Sequence, residues 1–170
     1  MSELLIRKAK KGDSDAFCKL MNQHMESMYK ISRAYLRHVE DGADAIQETI
    51  LSCFEHLPSL RQNRYFKTWM TRILINHCKD ILHQRSRLHL LEQLPETPVY
   101  EENYETLEWE QLLSGFDEET KSIFLLYYLE EFRIRDIADI LGLKESTIKS
   151  RLQRGRKKLL NSYTLKEEHV

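Results

Sequence analysis

Apolar side chains recur at helical spacing along almost the whole chain, and no segment alternates convincingly in the manner of a β-strand. In DGADAIQETILSCFEHLP, the residues Ile46, Ile50, Phe54 and Leu57 form one apolar stripe, and Pro58 ends that predicted helix. The segment TWMTRILINHCKDILHQ places five residues on one side of a second predicted helix: Met70, Ile73, Leu74, His77 and Ile81. The pattern therefore predicts an all-α fold.

The helical pattern is interrupted between about residues 87 and 110. The run EQLPETPVYEENYETLE holds two prolines and six glutamates, a composition that favours a linker. Helical spacing resumes in ETKSIFLLYYLEEF, after Asp117, whose side chain suits a helix N-cap. We therefore expect two small helical domains, residues 1–88 and 111–170, joined by a flexible acidic linker at residues 89–110.

The C-terminal domain carries the sequence pattern of a helix-turn-helix in RIRDIADILGLKESTIKSRLQRGRKKL. Gly142 can adopt the positive φ of a sharp turn, and the small side chain of Ala138 lets two helices cross closely. Ile148, a β-branched apolar residue, fills the angle between the two helices. In a helix-turn-helix the second helix enters the major groove of DNA.

The second helix of this motif is strongly basic. With Ile148 and Leu152 buried, four of its residues project together and can bond base edges in the major groove. These residues are Lys149, Ser150, Gln153 and Arg154. Five others are better placed for phosphates: Thr147, Arg151, Arg156, Lys157 and Lys158. The alternative is a solvated helix end, where cations also suit the helix dipole. Gly155 is unexpected in such a helix, because an interior glycine costs about 1 kcal/mol relative to alanine.

The chain has 170 residues and a formal net charge of −1, but its charges are segregated. Lys and Arg outnumber Asp and Glu by 15 to 10 in residues 1–90 and by 10 to 5 in residues 132–170. Residues 91–131 hold 1 basic residue against 12 acidic ones. Two basic ends around an acidic middle indicate nucleic acid, although three differently charged solvated faces would give the same count.

Several patterns that would indicate other classes of protein do not occur. No apolar run approaches the roughly 18 residues of a membrane span, and MSELLIRKAKKGD lacks the apolar core of a signal peptide. Cys18, Cys53 and Cys78 form no CxxC pair, which fits a reducing compartment. The spacing of His77 and Cys78 from His83 does not match metal ligands on one helix, and no Gly-rich phosphate loop or HExxH motif occurs. We therefore expect a cytoplasmic protein that is not an enzyme and has no cofactor or metal.

The string RQNRYFKTWMTRILIN mixes basic and aromatic residues, a combination that suits single-stranded nucleic acid. Bases stack on aromatic rings there, while cations follow the backbone. The candidate residues are Arg61, Asn63, Lys67, Trp69, Arg72 and Asn76. For Phe66 and Trp69 the favoured alternative is packing in the core of the domain.

In order along the chain, AFCKLMNQHMESMYKIS, DAIQETILSCFEHL, FKTWMTRILINHCKD and the terminal helix-turn-helix resemble the extracytoplasmic-function type of bacterial RNA polymerase sigma factor. The resemblance implies that Asp44, Gln47 and Glu48 dock on the clamp helices of the polymerase β′ subunit. It also implies that residues 61–76 capture the unpaired −10 strand, and that the basic helix reads the −35 element. Core RNA polymerase, including its β flap, promoter DNA and a cognate anti-sigma factor, which can be membrane-bound, are the partners that it implies.

The sequence departs from the family at DGADAIQE, where Ala43 and Ala45 replace an acidic residue and a leucine. Two other functions remain open. One is a helix-turn-helix regulator that binds its operator without docking on polymerase, and the other is an adaptor that binds polymerase but not DNA. The basic and aromatic residues 61–76 argue against the regulator, and the basic helix argues against the adaptor.

Overall fold

The computed structural model describes residues 2–36, 38–92 and 111–167 of the chain. Within these ranges the regular structure is helical and no strand occurs, so the predicted all-α class is confirmed. The chain divides into two compact units, Met1–Glu101 and Glu102–Val170. No helix in the described ranges has an apolar stretch long enough to cross a membrane. Most of the predicted linker, residues 93–110, lies outside the described residues.

The described part of the first unit is built from α1 (Ser2–Ala9), α2 (Ser14–Tyr35), α3 (Val39–His56) and α4 (Phe66–Glu92). Two short 3₁₀ turns, Leu57–Ser59 and Asn63–Tyr65, lie between α3 and α4. Asp13 caps α2, because its side chain accepts a hydrogen bond from the Ala16 backbone N–H at 2.9 Å. Large apolar side chains from α1, α2 and α4 are fully buried in this unit: Ile6, Leu20, Met28, Ile31, Phe66, Met70, Leu74 and Ile75. Leu36, directly after α2, and Leu57, directly after α3, are fully buried as well.

The buried face of α3 differs from the predicted stripe. Phe54 is 61% exposed, although the edge of its ring still meets Phe17. The residues of α3 that are buried are mostly small: Gly42, Ala45, Ile46, Thr49 and Cys53. A Cβ on Gly42 would lie 3.3 Å from the Ser32 Oγ of α2, so small side chains let these two helices approach closely. The prediction was therefore wrong for Phe54, because close helix packing selected size rather than hydrophobicity.

α4 is longer than the sequence pattern indicated. It continues to Glu92, past residue 88, where we expected the first domain to end. No proline or glycine occurs between Phe66 and Glu92, and the first proline after it is Pro95. Because nothing breaks the backbone hydrogen bonding before that point, the helix extends into the segment that its composition had indicated as linker.

The described part of the second unit contains α5 (Glu118–Phe124), α6 (Ile134–Leu141) and α7 (Glu145–Glu167). Asp117 is the N-cap of α5, as predicted, and accepts a hydrogen bond from the Thr120 backbone N–H at 3.0 Å. α5 widens at its end into a π-helical turn, Leu125–Leu129, which is a rare local geometry. The apolar core of the unit is formed by Leu113, Ile123, Phe124, Leu126, Ile137, Ile148 and Leu152.

Candidate nucleic-acid interface

The turn between α6 and α7 has the geometry that its sequence predicts. Gly142 ends α6 in the left-handed conformation, with φ 69° and ψ 31°, and its N–H bonds to the Ala138 carbonyl. The Leu143 N–H donates to the same carbonyl at 3.0 Å. Ala138 is buried, and Ile148 is fully buried at the start of α7. The predicted helix-turn-helix is therefore confirmed, with α7 as its second helix.

The four residues predicted to read bases are all exposed on α7: Lys149, Ser150, Gln153 and Arg154. Ile148 and Leu152 hold the opposite face of the helix in the core. The Ser150 hydroxyl donates to the Thr147 carbonyl at 3.0 Å, and the Arg154 Nε donates to the Ser150 carbonyl at 3.3 Å. Together the four side chains present donors and one amide acceptor on a single outer face, which is the chemistry that base edges require.

Arg151, predicted to contact phosphate, is held inside its own unit. Its guanidinium donates to an Asp117 carboxylate oxygen at 2.8 Å and to the Thr120 hydroxyl at 3.0 Å, and it also pairs with Glu119. Burial acts to raise the pKa of Asp117, but hydrogen bonds from Thr120 and the charge of Arg151 outweigh it and hold that pKa below its ordinary value. Arg151 is half-buried, and its phosphate role stays a prediction.

Two other cations of α7 rest on aromatic rings. The Arg156 Nε donates to the Tyr128 hydroxyl at 2.7 Å, and the guanidinium lies over the rings of Tyr127 and Tyr128. The Lys158 ammonium lies 4.8 Å from the centre of the Phe116 ring and bonds to the Gly115 carbonyl. Among the five predicted phosphate contacts, Lys157 is exposed and Thr147 is half-buried.

Gly155 has a structural reason that the sequence pattern did not reveal. It is buried where α7 crosses the aromatic core, and a Cβ at this position would lie 2.4 Å and 2.5 Å from two ring atoms of Phe124. Only a residue without a side chain lets the ring and the helix backbone come so close. A glycine in the middle of a strongly predicted helix was the available signal.

The first unit presents a second candidate surface along α4 and the loop before it. Trp69, Arg72 and Asn76 are spaced by three and four residues, and they share the side of α4 that faces away from the buried Met70 and Leu74. Trp69 is half-buried, whereas Arg72 and Asn76 are exposed.

The remaining candidates lie near the start of α4. Arg61 is exposed and Asn63 is half-buried in the loop. Lys67 is half-buried in the first turn of α4, on the side that faces the core, so the helix does not align it with Trp69. Phe66 is 2% exposed and packs in the core, as expected. We use the name basic–aromatic surface for Arg61, Asn63, Trp69, Arg72 and Asn76.

The three residues predicted to bind polymerase lie together in a groove between α3 and α4. Asp44, Gln47 and Glu48 come from α3, and all three are exposed. The sequence did not indicate the α4 side of this groove, which is lined by His77, Asp80, Ile81 and Gln84. The volume of the α3–α4 groove is about 560 Å³.

Two polar contacts fix α3 against α4 beside the groove. The Ser52 hydroxyl lies 3.1 Å from the His77 Nε2. Arg85 pairs with Asp41 through two contacts of 2.5 Å and 2.8 Å. His77 is half-buried, as the helical pattern indicated. An acidic groove between two helices that these contacts hold together can accept a positively charged or polar element of a partner protein.

Residues that can hold a metal do not cluster in the part of the chain that the structure describes. Cys53 and Cys78 are free and buried, and burial raises the pKa of each thiol to about 12. Both are therefore protonated near neutral pH and poorly reactive.

These features are typical of a modular nucleic-acid-binding protein, with a helix-turn-helix in one unit and a basic–aromatic surface in the other. The family models for sigma-70 region 2 and for sigma-70 region 4 match residues 20–88 and residues 106–159. The chain belongs to the sigma-70 family of RNA polymerase sigma factors, in its extracytoplasmic-function group. It is accordingly a promoter-recognition factor of RNA polymerase.

Curated relatives agree with this assignment. The ECF RNA polymerase sigma factor SigW of Bacillus subtilis is 25% identical over 91% of this chain and 92% of that protein. The ECF RNA polymerase sigma factor SigM of Mycobacterium tuberculosis is 29% identical over 87% of this chain and 77% of that protein.

Two solved structures share the fold. CnrH, in complex with the cytosolic domain of CnrY, has a TM-score of 0.73 at 21% identity and covers 96% of this chain and 97% of that one. The sigma factor RpoE of Bartonella quintana, in complex with the anti-sigma factor NepR, has a TM-score of 0.71 at 18% identity, over 85% of this chain and 94% of that one.

Proposed function

We propose that this chain binds core RNA polymerase through the α3–α4 groove and selects promoters with two DNA-binding surfaces. In this proposal α7 reads the −35 element as duplex DNA, through Lys149, Ser150, Gln153 and Arg154. The basic–aromatic surface, together with Lys67, holds the unpaired non-template strand of the −10 element. Asp44, Gln47 and Glu48 receive the β′ clamp helices, and the second unit contacts the β flap.

The observation that carries the proposal is that each unit has its own chemistry for a different form of DNA. A helix held at Ile148 and Leu152, with an exposed polar outer face, suits the major groove of a duplex. A half-buried Trp69 flanked along α4 by Arg72 suits an unstacked base and its phosphate instead. A regulator that binds an operator by itself needs the first property but has no use for the second.

The proposal includes an anti-sigma factor as a regulatory partner. Two solved structures with the same fold are complexes, one of CnrH with the cytosolic domain of CnrY and one of RpoE with the anti-sigma factor NepR. By analogy, such a partner would cover the α3–α4 groove and so prevent docking on polymerase. The proposed place of action is the cytoplasm, where polymerase and promoter DNA are found, and the proposed role is that of a binding factor rather than an enzyme.

Run-off transcription with purified core polymerase on a library of genomic fragments tests the proposal. We expect the chain to confer a small set of start sites, which share one upstream and one downstream sequence element. The helix-turn-helix regulator predicts the opposite result, namely tight operator binding by the chain alone and no start-site selection with core polymerase. Omitting the chain from the reaction gives the background of non-specific starts.

A further inference from the structure

We infer that Lys10 is a positioning residue, which holds the loop of the basic–aromatic surface in the shape that selects a base. This inference rests on the proposed function and extends it to a residue outside α4 and its loop. The Lys10 ammonium donates a hydrogen bond to the Leu60 carbonyl, across 50 residues of sequence. Leu60 directly precedes Arg61, the first residue of the proposed strand-binding surface.

The loop between α3 and α4 needs such a support because regular structure fixes only part of it. The 3₁₀ turns Leu57–Ser59 and Asn63–Tyr65 leave three residues between them, and Leu60 and Gln62 both have extended backbone angles. Leu57 and Leu60 are buried, so the loop is fixed on its inner side by apolar contacts. Its outer side carries Arg61, and the direction of the Arg61 side chain depends on the orientation of the Leu60 peptide unit.

Lys10 can orient that peptide because its own position is fixed. Its backbone N–H bonds to the Ile6 carbonyl at 3.0 Å, which continues the last turn of α1, and Ile6 is 1% exposed. α1 also packs against the Asn63–Tyr65 turn. The ammonium is therefore delivered from a docked helix, and a charge-assisted hydrogen bond is stronger than a neutral one.

The competing explanation is that Lys10 is one more cation for the DNA backbone, and the two roles predict different results. A phosphate contact weakens binding equally for every base and lowers the salt dependence, by about 0.7 per contact on single-stranded DNA. A positioning role changes which base is preferred and leaves the salt dependence unchanged. Lys10 is half-buried and already bonded to a carbonyl, which favours positioning.

The test compares Lys10→Met with Lys10→Arg, which keeps a cationic donor, and with Lys11→Met. Lys11 is the exposed neighbour, so its variant removes the same charge without removing the bond to Leu60. Hydrogen exchange on the free full-length chain follows the amides of Leu60 and Tyr65, which bond to the carbonyls of Leu57 and Gln62. In Lys10→Met we expect both amides to exchange about tenfold faster, which corresponds to about 1.4 kcal/mol. Lys11→Met leaves them unchanged, and Lys10→Arg restores most of the protection.

The second readout uses holoenzyme and a promoter on which the unmodified chain initiates, with each base of the melted segment randomised in turn. Lys10→Met should reduce the preference for the best base about tenfold at one downstream position and leave the upstream element unaffected. Equal weakening for all bases, with a smaller salt slope, would assign Lys10 to phosphate and overturn the inference. Unchanged exchange or unchanged base preference would also overturn it. If the unmodified chain itself selects no start site, the proposed function fails, and that result differs from a defect confined to Lys10→Met.

Discussion

Gly155→Ala should destabilise the second unit, although alanine is the better helix former. In an open helix the substitution would stabilise by about 1 kcal/mol, because glycine has the higher backbone entropy in the unfolded chain. Here the added Cβ would lie 2.4 Å and 2.5 Å from two atoms of the Phe124 ring and 3.3 Å from Phe116. Carbon atoms in contact prefer about 3.5–4.0 Å, so the ring has to move by about 1 Å or more.

The ring has little room for that movement. Phe124 is 1% exposed, and its ring centre lies 5.6 Å from that of Phe116 and 5.4 Å from that of Tyr128. Inserting a methyl group into a packed core costs about 1–3 kcal/mol. The short distances place Gly155→Ala near the upper end of that range, so that after the gain in helix propensity we expect a net loss of about 1–2 kcal/mol.

Native-state hydrogen exchange on the full-length chain measures the effect in each unit separately. The free energy of opening of the amides in α5 and α7 should fall by about 1–2 kcal/mol, whereas that of the amides in α4 should not change. Gly115→Ala is the matched control, because its Cβ would meet only the end of the flexible Lys158 side chain, at 3.2 Å. In the double variant Gly155→Ala/Phe124→Leu the smaller side chain makes room, so the two changes should cost less together than the sum of their separate costs. A Gly155→Ala chain that is more stable than the unmodified one would refute the packing argument.

The remaining predictions concern the binding surfaces. Glu48→Lys reverses a charge in the α3–α4 groove and should abolish co-purification with core polymerase. The chain should stay folded, because the side chain of Glu48 is exposed. The control is Glu26→Lys, a charge reversal on the exposed side of α2, and this variant should bind core polymerase normally. Arg154→Ala should cost about 1–3 kcal/mol at one upstream base position in a selection experiment, and equal weakening on all promoters would argue against base reading. Arg151→Gln should leave the salt slope of duplex binding unchanged, because its guanidinium is already paired with carboxylates. Lys157→Ala should reduce that slope by about 0.9, and a similar drop for Arg151→Gln would mean that DNA displaces those carboxylates.

Local signals in the sequence were sufficient to predict those parts of the structure that depend on neighbouring residues. Asp117 caps α5 and Gly142 turns the chain at positive φ, and both effects act within a few residues of the chain. The prediction that Phe54 lies on the buried face of α3 was wrong, because a hydrophobic pattern says nothing about how closely α3 approaches α2. The sequence did not reveal why position 155 is a glycine either, because the Phe124 ring that excludes a Cβ there comes from a different helix.

The same limit applies to the candidate sites. The exposure of the four positions that we expect to read bases followed from the burial of Ile148 and Leu152, which helical spacing alone predicts. The partners of Arg151 could not be predicted in this way, because Asp117 caps α5, Glu119 lies on it, and both meet α7 only through the fold. The α4 wall of the groove, including Asp80, likewise depends on how two helices pack. Spacing within one helix can therefore be predicted, whereas contacts between helices cannot.

The pairing of cations within the second unit bears on why this chain needs polymerase. Six cations lie between residues 146 and 158, and three of them contact carboxylates, carbonyls or rings outside α7: Arg151, Arg156 and Lys158. Of the other three, Lys149 and Arg154 contact groups of their own helix, Glu145 and the Ser150 carbonyl, and Lys157 is exposed. Even if all three contacted phosphates rather than bases, the salt slope would be at most about 2.7, so the electrostatic contribution to duplex binding would be small at physiological salt. Two linked DNA-binding sites bind more tightly than either alone, because the second site acts at a high effective concentration. The surface in the first unit can therefore supply the missing affinity only if a partner holds both units on one promoter. Core polymerase, if it binds at the α3–α4 groove as proposed, meets this requirement, so selectivity should depend on the holoenzyme rather than on either unit alone.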